Sequence, residues 1–167
     1  MADADMTRFE EFVTQRLPAL YRYAMVLTGN RHDAEDLVQE ALVRTGLAWR
    51  TVQRKDAPER YVRTAMVRIM TNRWRRPRRE YPMADVPDRP AEDPGAGRIS
   101  DSAVLDSAIR SLPPRMRAVL VLRYVDQLSE AEIADMLGCR PGTVKSQASR
   151  GLAKLRMMLA GEPTWMR

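Results

Sequence analysis

One cysteine, Cys139, and one histidine, His32, are all that 167 residues offer towards disulfides, thiol chemistry or an imidazole cluster. An intramolecular disulfide is excluded, and with it the cysteine framework of small secreted domains. Metal and acid-base catalysis need several ligands or a base with partners, so an enzyme, and any metal or other cofactor, is not expected. Cys139 reads as a small apolar filler in a turn more than as a redox group. His32 reads as a surface residue at a helix start. Long apolar runs are also missing, since no stretch approaches the roughly 20 residues of a membrane span. The opening "MADADMTRFEEF" is acidic where a secretory leader is basic and then apolar. The expectation is a cytoplasmic chain with no membrane partner. No segment alternates polar and apolar side chains, so strands are not expected either.

What the chain has is charge and helical periodicity. There are 28 Lys and Arg against 22 Asp and Glu, a net +6, which points weakly to an anionic partner until its distribution is known. The length allows one domain or two small ones. Thr7 and Glu10 have the spacing of a capping box, and Phe9, Phe12, Val13, Leu17, Leu20, Tyr21, Ala24 and Leu27 follow at helical intervals to "TGN" at 28–30. Pro18 is expected to bend or interrupt that helix. A second helix from about Asp33 to Trp49 turns Leu37, Val38, Ala41, Leu42 and Thr45 inward. A third, opened by Pro58, places Val62, Ala65, Met66 and Ile69 on one face.

Composition then changes. Residues 75–98 hold five prolines and two glycines among mixed charges, the composition of an extended tether. Helical signals resume with "SDSAVLDSAIRSL" and "PPRMRAVLVLRYVDQ", where Pro113 and Pro114 suit a helix start. The fold expected is all-α, two small helical domains (residues 5–76 and 101–160) joined by a flexible linker (77–100).

"LSEAEIADMLGCRPGTVKSQASRGLAKLR", 128–156, carries two short helices around a turn. Ser129 and Glu132 form a capping box, Ile133, Ala134 and Leu137 face inward, and Gly138 can supply a left-handed end. Pro141, Gly142 and Thr143 open the second helix, which buries Val144, Ala148, Leu152 and Leu155. It exposes Arg140, Lys145, Ser146, Gln147, Ser149 and Arg150, with five basic residues and no acid between 140 and 156. This is the pattern of a helix-turn-helix unit, in which polar groups reach base edges and cations grip phosphate. An ordinary helical hairpin with a solvated basic face has the same periodicity.

Two further faces stand out. Asp33, Asp36, Gln39 and Glu40 lie outward on the second helix, a compact acidic and amide patch suited to a basic helix of another protein, or simply solvated near a helix start. Residues 60–79 hold eight arginines and no acid, with Tyr61 and Trp74 interleaved. Arg68, Thr71 and Arg75 fall outward, flanked by Asn72, a composition suited to a single nucleic-acid strand, although both aromatics fit a core as well.

"DAEDLVQEALVRT", "ERYVRTAMVRIMTNRWRR" and "LPPRMRAVLVLRYVDQLSEAEIADMLGCRPGTVKSQASRGLAKLR" resemble regions 2.2, 2.3 to 2.4 and 4 of an extracytoplasmic-function (group IV) sigma factor of the sigma-70 family, close to the actinobacterial sigma-E-like set. The resemblance spans residues 10–158. It implies a subunit of bacterial RNA polymerase with no catalysis of its own, monomeric when free. Asp33, Asp36, Gln39 and Glu40 would dock on the beta-prime clamp coiled coil. Arg60, Tyr61, Arg63, Arg68, Asn72, Arg73, Trp74, Arg75 and Arg76, with the loop at 53–58, would melt and read the minus 10 element of promoter DNA. Arg140, Thr143, Lys145, Ser146, Gln147, Ser149 and Arg150 would read the minus 35 element. Apolar residues of the 115–125 helix would pack on the beta flap, and Asp85, Asp88, Glu92 and Asp93 of the tether would thread the polymerase cleft. An anti-sigma factor is a further implied partner.

The chain departs from the family where relatives carry "RN" in the third helix. Val67 and Arg68 stand there, which moves the base-reading asparagine to Asn72 or removes it. The competing reading is a free-standing helix-turn-helix regulator whose first half dimerises.

Overall fold

The computed structural model describes residues 3–53, 57–76 and 101–161, and every regular element among them is helical. Contacts divide the chain into two units after residue 76. The 77–100 segment expected as a tether, with Asp85, Asp88, Glu92 and Asp93, lies outside the described residues, as does the middle of the 53–58 loop.

In the first unit α1 (Asp3–Thr28) packs on α2 (Arg31–Leu47) and α4 (Pro58–Arg75), with the short α3 (Trp49–Val52) set against α1 and α2. The core is built from Leu20, Tyr23, Ala24 and Leu27 of α1, Ala34, Leu37, Val38 and Ala41 of α2, and Val62, Met66, Val67, Ile69 and Met70 of α4. α1 starts earlier than the Thr7 and Glu10 pair predicts. Thr7 is therefore inside it and its hydroxyl donates to the Asp3 carbonyl at 3.0 Å, the fate of a threonine that is not a cap. Pro18 lies within a continuous helix on its exposed side, where the lost N–H costs one backbone bond, while Leu20 and Leu27 hold the following turns.

The first half of α1 is fixed by aromatic contacts. Phe9 meets Trp49 edge-on at 5.1 Å between centroids and Phe12 at 5.3 Å. A Cβ on Gly46 would stand 3.3 Å from the Phe9 ring, so the absence of one lets α1 lie close over the end of α2. Trp49 thus belongs to the core and not to the end of α2. Between α1 and α2, Gly29 takes φ 83° and Asn30 caps α2 by accepting from the Asp33 amide at 2.8 Å.

In the second unit α6 (Pro114–Tyr124) is the central rod, packed against α7 (Glu130–Leu137) and α8 (Pro141–Ala160), with α5 (Asp101–Arg110) laid on α8. Met116 and Ala118 to Leu122 are all buried, so the apolar run expected to face the polymerase is the interior of this unit. Of the 115–125 stretch, Tyr124 and Val125 remain as exposed apolar residues. Arg117 is buried too, its Nη1 donating to the Arg110 and Leu112 carbonyls at 2.7 and 3.3 Å. Its charge sits at the negative end of α5, which offsets part of the desolvation that lowers its pKa. A Cβ on Gly151 would stand 2.9 Å from Leu120 Cδ1 and 3.0 Å from Met116 Cγ, which sets the closeness of α8 to α6.

Candidate functional site

The turn between α7 and α8 follows from local chemistry. Ser129 Oγ accepts from the Glu132 amide at 3.2 Å, and the Glu132 carboxylate accepts from the Ser129 amide at 2.8 Å. Gly138 ends α7 at φ 65° and ψ 43°, and Pro141 opens α8. Val144 and Ala148 are buried, while Leu152 and Leu155 are half-buried, which fixes the rotation of α8. Arg140, Thr143, Lys145, Ser149 and Arg150 are exposed. Ser146 and Gln147 are half-buried, and the Ser146 hydroxyl donates to the Thr143 carbonyl at 3.0 Å. Among the described residues no carboxylate pairs with Arg140, Lys145 or Arg150. A helix N-terminus flanked by uncompensated cations attracts phosphate.

On α2 the acidic patch divides. Asp33 Oδ2 accepts from Asn30 Nδ2 at 2.6 Å and is committed to the cap. Asp36, with its nearest basic nitrogen in His32 at 3.7 Å, and Gln39 are exposed. Glu40 is bridged twice, by Arg44 at 2.6 Å and by Arg73 of α4 at 2.8 Å, and the bond from Arg73 is the main cause that holds its carboxyl below the ordinary range. Sequence reasoning missed two residues here. Val43 is 65% exposed and Leu47 87% exposed, and positions 36, 40, 43 and 47 form one helical stripe. Their signal is apolar side chains opposite the inner face set by Leu37, Ala41 and Thr45.

On α4 the basic face is narrower than predicted. Thr71 is buried, its hydroxyl donating to the Val67 carbonyl at 2.8 Å, because it follows the Val67 and Met70 side of the helix. Arg63 is turned into the unit, bonded to Glu59 at 2.6 Å with its guanidinium 4.8 Å over the Tyr23 ring. Arg60, Arg68, Asn72, Arg73, Arg75 and Arg76 are exposed, Tyr61 is 39% exposed, and Trp74 is half-buried. Among the described residues Arg60, Arg68, Arg75 and Arg76 have no carboxylate partner. Arg60, Tyr61, Thr64 and Arg68 line a cleft closed on its other side by Arg44 and Val52. Nearby, Asp5 accepts from Arg50 at 3.1 Å and from Gln53 at 3.0 Å, anchoring the segment that leads to α4.

Known proteins resemble the chain over both units. A family described as Sigma-70 region 2 matches residues 12–80, and one described as Sigma-70, region 4 matches 102–155. The RNA polymerase sigma-E factor of Streptomyces coelicolor is 39% identical over 153 residues, 91% of this chain and 86% of that one. The ECF RNA polymerase sigma factor SigE of Mycolicibacterium smegmatis is 40% identical over 167 residues, 94% of this chain and 63% of that protein. In fold, the sigma factor RpoE of Bartonella quintana, solved in complex with the anti-sigma factor NepR, matches with a TM-score of 0.64 at 23% identity, over 93% of this chain and 99% of that one. Two helical units, one with an acidic stripe beside an arginine face and one with a helix-turn-helix, and relatives that match across both, show that the chain belongs to the extracytoplasmic-function sigma factors of the sigma-70 family.

Proposed function

We propose that this sigma factor docks on the beta-prime clamp coiled coil of core polymerase through the α2 stripe of Asp36, Gln39, Glu40, Val43 and Leu47. The acids meet a basic partner, and the two apolar residues gain what water denies them. The cleft and outward face of α4, with Arg60, Tyr61, Arg68, Asn72, Arg73, Trp74, Arg75 and Arg76, take the melted minus 10 strand, cations on phosphate and aromatics under unstacked bases. Arg63 supports this face from behind through Glu59 and Tyr23. The start of α8, from Arg140 to Arg150, reads the minus 35 duplex, and Tyr124 with Val125 offers the contact to the beta flap.

The observation that carries this reading is the pairing within one unit of an acidic and apolar stripe with arginines lacking carboxylate partners. A free-standing duplex-binding regulator has no use for that pair. The free chain is proposed to be monomeric and cytoplasmic and to act without catalysis of its own. An anti-sigma factor covering the exposed Val43 and Leu47 is the second partner proposed. The test is transcription by purified bacterial core polymerase, with and without the protein, on fragments of its own genome including its own upstream region. Discrete start sites that depend on the protein are expected. No initiation, together with tight specific duplex binding by the protein alone as a dimer, would overturn the proposal.

A further inference from the structure

Glu40 belongs to two surfaces at once. One carboxylate oxygen accepts from Arg44 Nη2 within α2, and the other accepts from Arg73 Nη2 across to the last turn of α4. Arg73 is the one exposed cation of the α4 face that a described carboxylate neutralises, whereas Arg60, Arg68, Arg75 and Arg76 have none. The bridge is exposed, 41% at Arg73 and 37% at Glu40, so both groups can be reached and exchanged by other charges. Asp36, one turn earlier, reaches no arginine of α4, which makes Glu40 the link between the two faces.

We infer that the Glu40 to Arg73 bridge is a charge gate between the stripe on α2 and the nucleic-acid face of α4. In the free protein Glu40 offsets Arg73. When a basic group of the polymerase engages Glu40, the Arg73 guanidinium is released to a phosphate of the DNA strand. Docking thereby adds one phosphate contact to the strand-binding face with no change of fold, because one partner of a weak exposed pair replaces another. The inference rests on the proposal that α2 is the docking element, and it adds the residue through which docking reaches the DNA.

The experiment is the salt dependence of binding of the free, full-length protein to a labelled single-stranded oligonucleotide, followed by anisotropy. Each phosphate neutralised on a single strand steepens the slope of log K against log salt by about 0.7. E40Q keeps the shape of the side chain but frees Arg44 as well as Arg73, so the variants are compared in an R44Q background, where E40Q is expected to steepen the slope by about that amount relative to R44Q alone. In the same background E40Q/R73Q is expected to return to the slope of R44Q. E35Q, which makes the same charge change on α2 at a carboxylate paired with Arg31, is expected to leave the slope unaltered. An unchanged slope in E40Q, or a steepening that persists in E40Q/R73Q or also arises in E35Q, would overturn the gate. Titration of E40Q with core polymerase separates the two readings. Wild-type affinity there would overturn the docking proposal and the release step with it, while weakened docking with an unchanged slope overturns the gate alone.

Discussion

Asp5 shows how much one half-buried carboxylate can organise. Its hydrogen bond from Gln53, and then that from Arg50, hold its carboxyl below the usual aspartate range. A carboxyl depressed in the folded state contributes stability above its unfolded pKa and loses it as pH falls through the lower folded value. D5N is therefore expected to lower the urea midpoint of the first unit at pH 7 by the same amount as at pH 6, with the gap to wild type closing below about pH 4. A gap that stays constant down to pH 3 would remove the ionic part of this anchor. Nothing in the spacing of Asp5, Arg50 and Gln53 signals their meeting, because it depends on how α1 crosses α3. Thr71 was hidden for a related reason. Threonine is neutral to periodicity, and its burial became visible only with Val67 and Met70 around it. By contrast, the left-handed role of Gly138 is legible, since glycine adopts φ 65° without a Cβ penalty.

Among the elements, α7 is the most readable because its start and end are written in local chemistry, a capping box and a glycine. The start of α1 is the least readable. A threonine and a glutamate three apart also occur inside helices, and Asp3 and Asp5 in the first turn favour an earlier start through the helix dipole. α6 misleads in the opposite way. Its apolar run suggests a docking face, yet a central rod that touches α7 and α8 is apolar nearly all round. For α2 the informative residues are those off the inner face. V43A/L47A is expected to keep the helical circular dichroism and thermal midpoint of wild type and to weaken core polymerase binding about ten-fold or more, as for anchors at an interface centre. Unchanged affinity by surface-immobilised titration would return both residues to ordinary surface positions.

For the whole molecule, two units without a disulfide imply two cores with separate stabilities. Leu37 is fully buried in the first. L37A is expected to lower protection by about 2–5 kcal/mol across α1, α2 and α4 in hydrogen exchange, with α6 to α8 unaffected. Equal loss in both units would mean one cooperative molecule. The division is legible because proline, glycine and mixed charge between residues 75 and 98 interrupt the helical period. The faces of each unit are legible as charge. Which arginines are already engaged is legible for Arg63, four residues after Glu59 on α4, and not for Arg73, whose partner Glu40 comes from the packing of α4 on α2.

The placement of the indoles has an optical consequence. Trp49 is enclosed by Phe9 and Phe12, and its emission belongs to a dry, rigid site that brightens or fades only with the first unit's core. Trp74 is half-buried near the end of the arginine face, within reach of a stacked base that would quench it. With the third tryptophan, Trp165, replaced by phenylalanine, the two act as paired dyes native to the chain, one recording whether the unit is intact and the other whether a strand lies on it.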